Sequence, residues 1–387
     1  MYLLRLIGKN AFRHKLRTGL TMLGIVIAIL AFGMLQTLVN AWYEGANLAS
    51  ATRLVTRNAI SLVFSLPLAY KERIRGVEGV KRVTWLNWFG GVYKEPSNFF
   101  PQFAADVRSF LEMYPELHFV EGDKESFLRD RRGCIIGTKL AEKYGFKLGD
   151  VIPLKGAIYP GTWNFTVRGI YRYEGANVSA DITNMYFHWQ YLDDTMRARS
   201  PRYGGQVGTF IIDIDRPEDL GTVAQAIDAT FKNSLAETLT ESEKAFNLSF
   251  VAMSDQIITI VKLVSFVVVL IIMAVMANTM AMTARERMGE YATLKALGFG
   301  PGFLLLLVAG ESLFIAFLGC AIGIALTIPV AAGFGKALST LFPVFRVAPE
   351  TYALQVGCAA VVGVAAAIVP SIRAATVNVV DGLRSIG

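Results

Sequence analysis

The sequence predicts an α-helical membrane protein with four transmembrane helices and an α+β extracytoplasmic domain inserted between helices 1 and 2. Three observations carry that prediction. The 387 residues are 53% hydrophobic and only 18% charged, against the roughly 25% charge expected of a soluble domain. Four segments, 18–43, 263–284, 299–335 and 351–372, run for about 20 residues or more almost without charge, enough to cross roughly 30 Å of hydrocarbon at about 1.5 Å per residue. Between the first and second lie about 210 residues of mixed composition, enough for one large domain or two small lobes.

The opening segment, 1–17, carries Arg5, Lys9, Arg13 and Arg17 four apart, with Leu3, Leu4, Ile7 and Ala11 on another face. That is the pattern of a helix lying on a membrane surface, in contact with lipid. Lys15 adds to the basic charge and no acid precedes the first span, so the N-terminus is expected inside. The first span, 18–43, is longer than the roughly 7–15-residue core of a cleavable signal and reads as an anchor. Four crossings then place 44–255 outside and 256–284 as the second span. The loop 285–300 falls inside, 301–335 is the third span, 336–350 a short outer loop, and 351–372 the fourth span. The tail 373–387, with Arg373 and Arg384, lies inside. This is the topology of a multi-pass membrane protein with both termini cytoplasmic and its large domain outside. The formal net charge of +7 sits largely beside the spans, where it meets anionic headgroups, so no nucleic-acid partner is expected.

Within the outer domain, 59–64 reads as a strand, 66–76 as a short helix, and 134–136 as a strand entering a helix over 138–144. Residues 148–150 form a turn, followed by a strand pair at 151–155 and 163–173. The strand 209–215 leads through Pro217 into a helix over 220–231, and 247–260 reads as a helical stalk running into the second span. Cys134 is alone in this domain, while Cys320 and Cys358 lie in apolar helices, so no disulfide framework supports the fold.

Chemistry-bearing patterns are sparse. His14, His118 and His188 have no second ligand at metal-binding spacing, so no metal site is expected. Asp213 and Asp215 alternate along a strand, as either a carboxylate pair for acid–base work or a plain exposed face. Trp85, Trp88, Phe89, Tyr93, Phe99, Phe100 and Phe103 form an aromatic-dense stretch suited to core packing, a lid, or contact with lipid, substrate or partner. Gly335-Lys336 is followed by Ala337 and is no phosphate loop, so no catalytic residue is expected and any ATP hydrolysis belongs to another chain.

Glu311 lies about nine residues into the third span, roughly 14 Å deep, where an isolated charge costs about 3 kcal/mol or more. It is a functional candidate, with snorkelling, a helix–helix hydrogen bond or protonation as the plain readings. Gly319 and Gly323 form a GxxxG that lets two helix backbones approach, within the subunit or in a dimer. The inner loop holds Arg285, Glu286, Arg287, Glu290 and Lys295 at helical intervals and ends at Gly298 before Pro301, predicting a short capped helix. Leu294, Ala296 and Leu297 should bury one side of it against the bundle or a partner. Cytoplasmic force would enter at this loop.

These stretches together resemble the MacB/FtsX-type permeases of ATP-binding-cassette (ABC) systems, the mechanotransmission or type VII group. NAFRHKLRTGLTMLGIVIAI is similar to the family's opening, a basic surface helix followed by R-T-x-L-T-x-L-G-I. ARERMGEYATLKALG is similar to its loop pattern through Glu286, Arg287, Glu290, Leu294, Lys295, Ala296, Leu297 and Gly298, with Tyr291-Ala292 in place of the usual Ile-Gly. PSIRAATVNVVDGLRSIG keeps Pro370, Arg373, Ala374, Ala375, Leu383 and Arg384 of the family's ending, but Val379 or Val380 stands where Pro is usual and Gly382 replaces Ala. GESLFIAFLGCAIG places Glu311, Gly319 and Gly323 as in the third span. GTKLAEKYGFKLGDVIPLKG and FTVRGIYRYEG look like the MacB-like periplasmic core domain.

The resemblance implies a dimer of permease subunits in the bacterial cytoplasmic (inner) membrane with the large domain periplasmic, expected as a homodimer, each docking a separate cytoplasmic ABC ATPase on the helix between the second and third spans. ATP and Mg would be held by that partner, and this chain would carry no cofactor. A periplasmic adaptor is an optional further partner. The implied function is export of an amphiphilic cargo: a lipid, lipoprotein, peptide or drug. Two alternatives stand beside it: a non-transporting FtsX-like transmitter that regulates an envelope hydrolase, and a membrane-anchored periplasmic enzyme built on Asp213 and Asp215.

Overall fold

The computed structural model describes residues 7–8, 10–47, 49–174, 179–180, 182–337, 342 and 344–378. Its elements, in chain order, begin with α1 (Lys15–Asn47), β1 (Arg53–Asn58), β2 (Leu66–Pro67), α2 (Tyr70–Arg75), β3 (Val80–Trp88), β4 (Gly91–Val92), β5 (Gln102–Ala105) and α3 (Val107–Met113). Next come β6 (Leu117–Gly122), α4 (Lys124–Arg129), β7 (Gly133–Gly137), α5 (Thr138–Tyr144), β8 (Val151–Gly156), β9 (Gly161–Glu174), β10 (Ser179–Ala180), β11 (Met185–His188) and α6 (Trp189–Arg199). The chain continues with β12 (Gln206–Val207), β13 (Thr209–Ile214), α7 (Leu220–Phe231), β14 (Thr238–Ser242), α8 (Glu243–Met253), α9 (Asp255–Glu286), α10 (Met288–Ala296), α11 (Pro301–Ala337) and α12 (Pro349–Thr376). It divides into two compact units, one of the membrane-type helices and one spanning Trp42–Met253 with Leu338–Val344.

The second unit is built on one large mixed sheet in the order β14-β1-β13-β3-β5-β11-β7-β9-β8-β4, with β6 and β10 also paired to β9. β5–β11 and β7–β9 are parallel, and the remaining pairs are antiparallel. Successive side chains of a strand point to opposite faces, and here both faces are covered. Cys134 and Ile136 enter one core with Phe89, Phe165, Phe187 and Phe210, while Ile135 enters the other with Phe110, Phe127 and Tyr171. Burial on both faces is why β7 reads as a continuous GCIIG run without alternation. Each fully buried Phe or Ile contributes about 1.5–3 kcal/mol relative to exposure, and this core holds the unit together with Cys134 as a free thiol.

Several local readings need correction. Residues 59–64 form an exposed turn, with Ile60 at 82% and Val63 at 88% exposure. The strand is instead β1, whose sequence RLVTRN hides its role because polar residues occupy buried positions: Thr56 shares a hydroxyl hydrogen bond with Thr240 at 2.9 Å. Residues 66–76 divide into β2 and α2, since Pro67 lacks the N–H a continuous helix needs. The stalk over 247–260 is two helices, α8 and α9, separated at Ser254. Asp213 and Asp215 do not share a strand face. A register irregularity follows Asp213, whose buried carboxylate accepts from Arg82 (2.8 Å) and Thr52 (3.0 Å), while Asp215 is exposed beyond the strand.

In the first unit α1, α9, α11 and α12 are each long and apolar enough to cross a membrane. The GxxxG of α11 is used inside the subunit. A Cβ on Gly319 would meet Ile25 Cγ2 at 2.8 Å, and one on Gly323 would meet Ile29 Cγ2 at 2.8 Å, so α1 packs directly on the glycine backbone. One turn further along, Gly33 makes room for Gln355 of α12, whose amide donates to the Ile29 carbonyl (2.9 Å) and the Thr327 hydroxyl (3.1 Å). Asn40 donates to Thr351 at 3.2 Å. These polar groups bridge three helices in surroundings where an unmade hydrogen bond is expensive.

Candidate functional site

Charged residues of the inner loop meet those of the opening segment and the third span at one end of the helical unit. Residues 7, 8, 10 and 11 are helical, and 12–14 turn the chain into α1, where the Thr18 hydroxyl donates to the Ala11 carbonyl. Ile7 and Ala11 are buried, Ile7 among Ala284, Tyr291, Leu304 and Leu307. The apolar face of the opening segment therefore lies against the bundle. Arg13 and Arg17 project from its other side. Arg5, Lys9 and Arg384 lie outside the described residues.

Helix α10 and the two residues before it, Glu286 at the end of α9 and Arg287, sit among these groups and are fastened on several sides. Arg17 forks onto Glu286 with bonds of 2.6 and 2.7 Å, and Arg13 pairs with Glu290. Arg287 donates from Nε to Glu290 at 3.0 Å and from Nη1 to Glu311 at 2.7 Å, with the Arg287 and Glu311 side chains only 6% and 4% exposed. Glu311 is thus the acceptor of a buried ion pair. Lys295 donates from Nζ to the carbonyls of Ala375 (3.0 Å) and Val377 (2.9 Å), a cation at the C-terminus of α12, where the helix dipole favours it.

The electrostatics follow from this geometry. Burial alone would raise the Glu290 carboxyl, but hydrogen bonds from Arg287 and Arg13 outweigh it and hold the group below its ordinary range. Burial likewise works against the Arg287 guanidinium, yet the facing Tyr291 and Glu311 keep it above its ordinary value. Both remain charged near neutral pH.

The end of α10 is a paired-carbonyl cap: the Phe299 N–H reaches the Leu294 carbonyl (3.1 Å), the Gly298 N–H reaches Lys295 (3.1 Å), and Gly298 adopts φ +93°. The buried side of the helix is Tyr291 and Ala292, with Leu294 partly buried; Ala296 is exposed, and Leu297 is 73% exposed. The expected apolar side is therefore rotated. Burial falls on the two residues that depart from the usual Ile-Gly, and Leu297 and Phe299 form an uncovered apolar knob beside the cap. Arg285 and Arg373 are exposed, while Pro370 is buried inside α12.

Sequence reasoning missed Gln355, Thr327 and Gly33. An amide in an otherwise apolar span is the signal that finds Gln355. It also missed that the aromatic stretch divides: Trp85, Phe89, Tyr93 and Phe100 are core, while Trp88 and Phe99 are exposed.

Two family models cover the chain. The MacB-like periplasmic core domain matches residues 18–230 and the FtsX-like permease C-terminal region matches residues 262–379. The chain belongs to the MacB/FtsX family of ABC transporter permeases. It is 26% identical over 345 residues to an ABC transporter permease of Methanocaldococcus jannaschii, covering 84% of this chain and 82% of that one. It is 23% identical over 423 residues to the Bacillus subtilis ABC transporter permease YvrN, covering 98% of each. Among solved structures, the extracellular domain of the ABC-type transporter YknZ from Gram-positive bacteria aligns with 49% of this chain and 99% of its own, at 15% identity and a TM-score of 0.33. This MacB/FtsX-type permease is a multi-pass membrane protein with a sheet-rich domain between its first and second membrane helices.

Proposed function

We propose that this permease couples ATP hydrolysis by a separate cytoplasmic ABC ATPase to motion of its extracytoplasmic domain, exporting an amphiphilic cargo. The observation that carries the reading is the fastening of α10. This short helix and the two residues before it, Glu286 and Arg287, are joined by ion pairs to the N-terminal segment, α1 and α11, and by Lys295 to the end of α12. A push on it therefore reaches three membrane helices together. The exposed knob of Leu297 and Phe299 is what a partner would grip, because the charges of α10 are engaged within the chain.

In this reading ATP and Mg belong to the ATPase, the permease works as a homodimer in the cytoplasmic membrane with both termini inside, and surrounding lipid meets the basic opening segment. An amphiphilic cargo is supported by the apolar turn at Ile60, Val63 and Phe64 and the fully exposed Leu235, joined near their bases by the Ala59 N–H to Glu237 carbonyl bond. Affinity purification of the detergent-solubilised chain from native cells tests the proposal. An ABC ATPase should co-purify with the wild type and be lost from Leu297→Arg, while the Gly357→Ala control retains it. Recovery of an envelope hydrolase, without ATP-driven cargo movement in liposomes, would instead favour the FtsX-like transmitter. Reproducible absence of any ATPase would reject both.

A further inference from the structure

The extracytoplasmic unit holds a buried charge cluster that the proposed function has not used. Arg53 is the first residue of β1, just after α1, and Glu243 is the first residue of α8, which leads to α9. The Arg53 guanidinium donates to Glu243 at 2.8 Å and to the Met113 carbonyl at 3.0 Å, pairs with Glu116, and lies over the Tyr114 ring at 4.1 Å. Glu243 also accepts from the Tyr114 hydroxyl (3.0 Å) and from the Ser50 backbone N–H (2.9 Å). Arg53 is 4% exposed and Glu243 9%. Burial works against the arginine charge, but the two carboxylates outweigh it and keep the group ionised.

The location gives the cluster its meaning. β1 and β14 are antiparallel neighbours, with Leu54 opposite Ser242, so the chain enters and leaves the sheet at one end. The bonds of Arg53 and Glu243 given above tie one of those two connections to the other or to the α3–β6 turn, and the Tyr173 hydroxyl of β9 donates to Glu116 at 3.4 Å. Apolar residues of equal volume would hold such a site as stably, but they can slide; a guanidinium fork with fixed acceptors has one geometry.

We propose that Arg53, Glu116 and Glu243 are positioning residues forming a joint, which makes the two connections to the membrane helices move as one body with the sheet. The inference rests on the permease reading above and adds the place where helix motion enters the domain. It requires that loosening the joint uncouple the domain without unfolding it.

The test is hydrogen–deuterium exchange on the full-length chain with its co-purified ATPase in lipid nanodiscs, with and without ATP and Mg. The neutral triple variant Arg53→Met/Glu116→Gln/Glu243→Gln is expected to keep wild-type protection in β7 and β9. Its residues 49–52 and 243–250 should exchange at least tenfold faster, and it should lose the ATP-dependent changes seen in the wild-type sheet. Arg53→Lys, which keeps the charge but not the fork, should retain only part of the response. Should the triple variant lose protection in β7 and β9, Glu243→Gln alone, which leaves Arg53 paired with Glu116, supplies the same readout. Unchanged exchange at 49–52 and 243–250, or a full ATP response in the loosened variant, overturns the joint. Absence of any ATP response in the wild type overturns the permease reading instead, and with it this use of the cluster.

Discussion

Glu311 shows what a single residue reveals and what it conceals. An acid in an apolar run announces a site, because leaving it charged and alone in hydrocarbon costs several kcal/mol. Its partner was not legible, since helical spacing in the inner loop says which charges share a face but not which of them meets the third span. The structure supplies that partner at 2.7 Å with both side chains buried. Removing one member of a buried pair leaves an uncompensated charge, so Arg287→Ala should destabilise the solubilised protein by about 3–5 kcal/mol. Replacing both, as Arg287→Met with Glu311→Leu, should restore most of that loss. Glu290→Ala should cost less than Arg287→Ala, because the Arg13–Glu290 pair is half exposed and screened by solvent, and the buried Arg287 that also loses Glu290 keeps Glu311. Equilibrium unfolding in detergent, read as a double-mutant cycle, checks all three. A near-additive double variant would show that the pair is not coupled.

At the scale of elements, legibility depended on how cleanly a pattern maps to one neighbour. The helix over 138–144 and the strand pair at 151–155 and 163–173 follow from local signals and correspond to α5, β8 and β9. The strand at 59–64 failed because apolar residues alone make no strand without a facing partner, while β1 has partners on both edges and polar residues inside. The GxxxG of α11 was legible as a close approach but not as an approach to α1. Its outcome in this structure is intrachain packing, which separates two kinds of variant. Gly323→Val forces a branched side chain against Ile29 and should lower stability by about 1–3 kcal/mol, the usual cost of overpacking. Gly357→Val on α12, where nothing among the described residues lies within 4 Å of an added Cβ, should change it by far less. Thermal unfolding together with mass photometry distinguishes the possibilities: loss of dimer in Gly323→Val with unchanged monomer stability would place the contact between subunits.

For the whole molecule, four apolar segments and a basic N-terminus were enough to give the helix count and the inserted domain, because the bilayer imposes length and charge rules that act on sequence directly. The sheet order was beyond reach, since strands such as β5 and β11, parallel and far apart in sequence, are brought together by packing that no local pattern encodes. The orientation expected from the positive-inside rule makes the last prediction. Leu235 and Leu297 are both strongly exposed, the first in the domain between the first two spans and the second beside α10, so they should lie on opposite sides of the membrane. In a background with Cys134, Cys320 and Cys358 replaced by Ala, a membrane-impermeant maleimide should label Leu235→Cys only in right-side-out vesicles and Leu297→Cys only in inside-out ones. The reverse pattern would put α10 outside, beyond the reach of any ATP-driven partner, and the coupling proposal would fall with it. Labelling of both from one side would mean that α9 does not cross as read, because the relative sidedness of these two positions depends only on the span between them, and that span is α9.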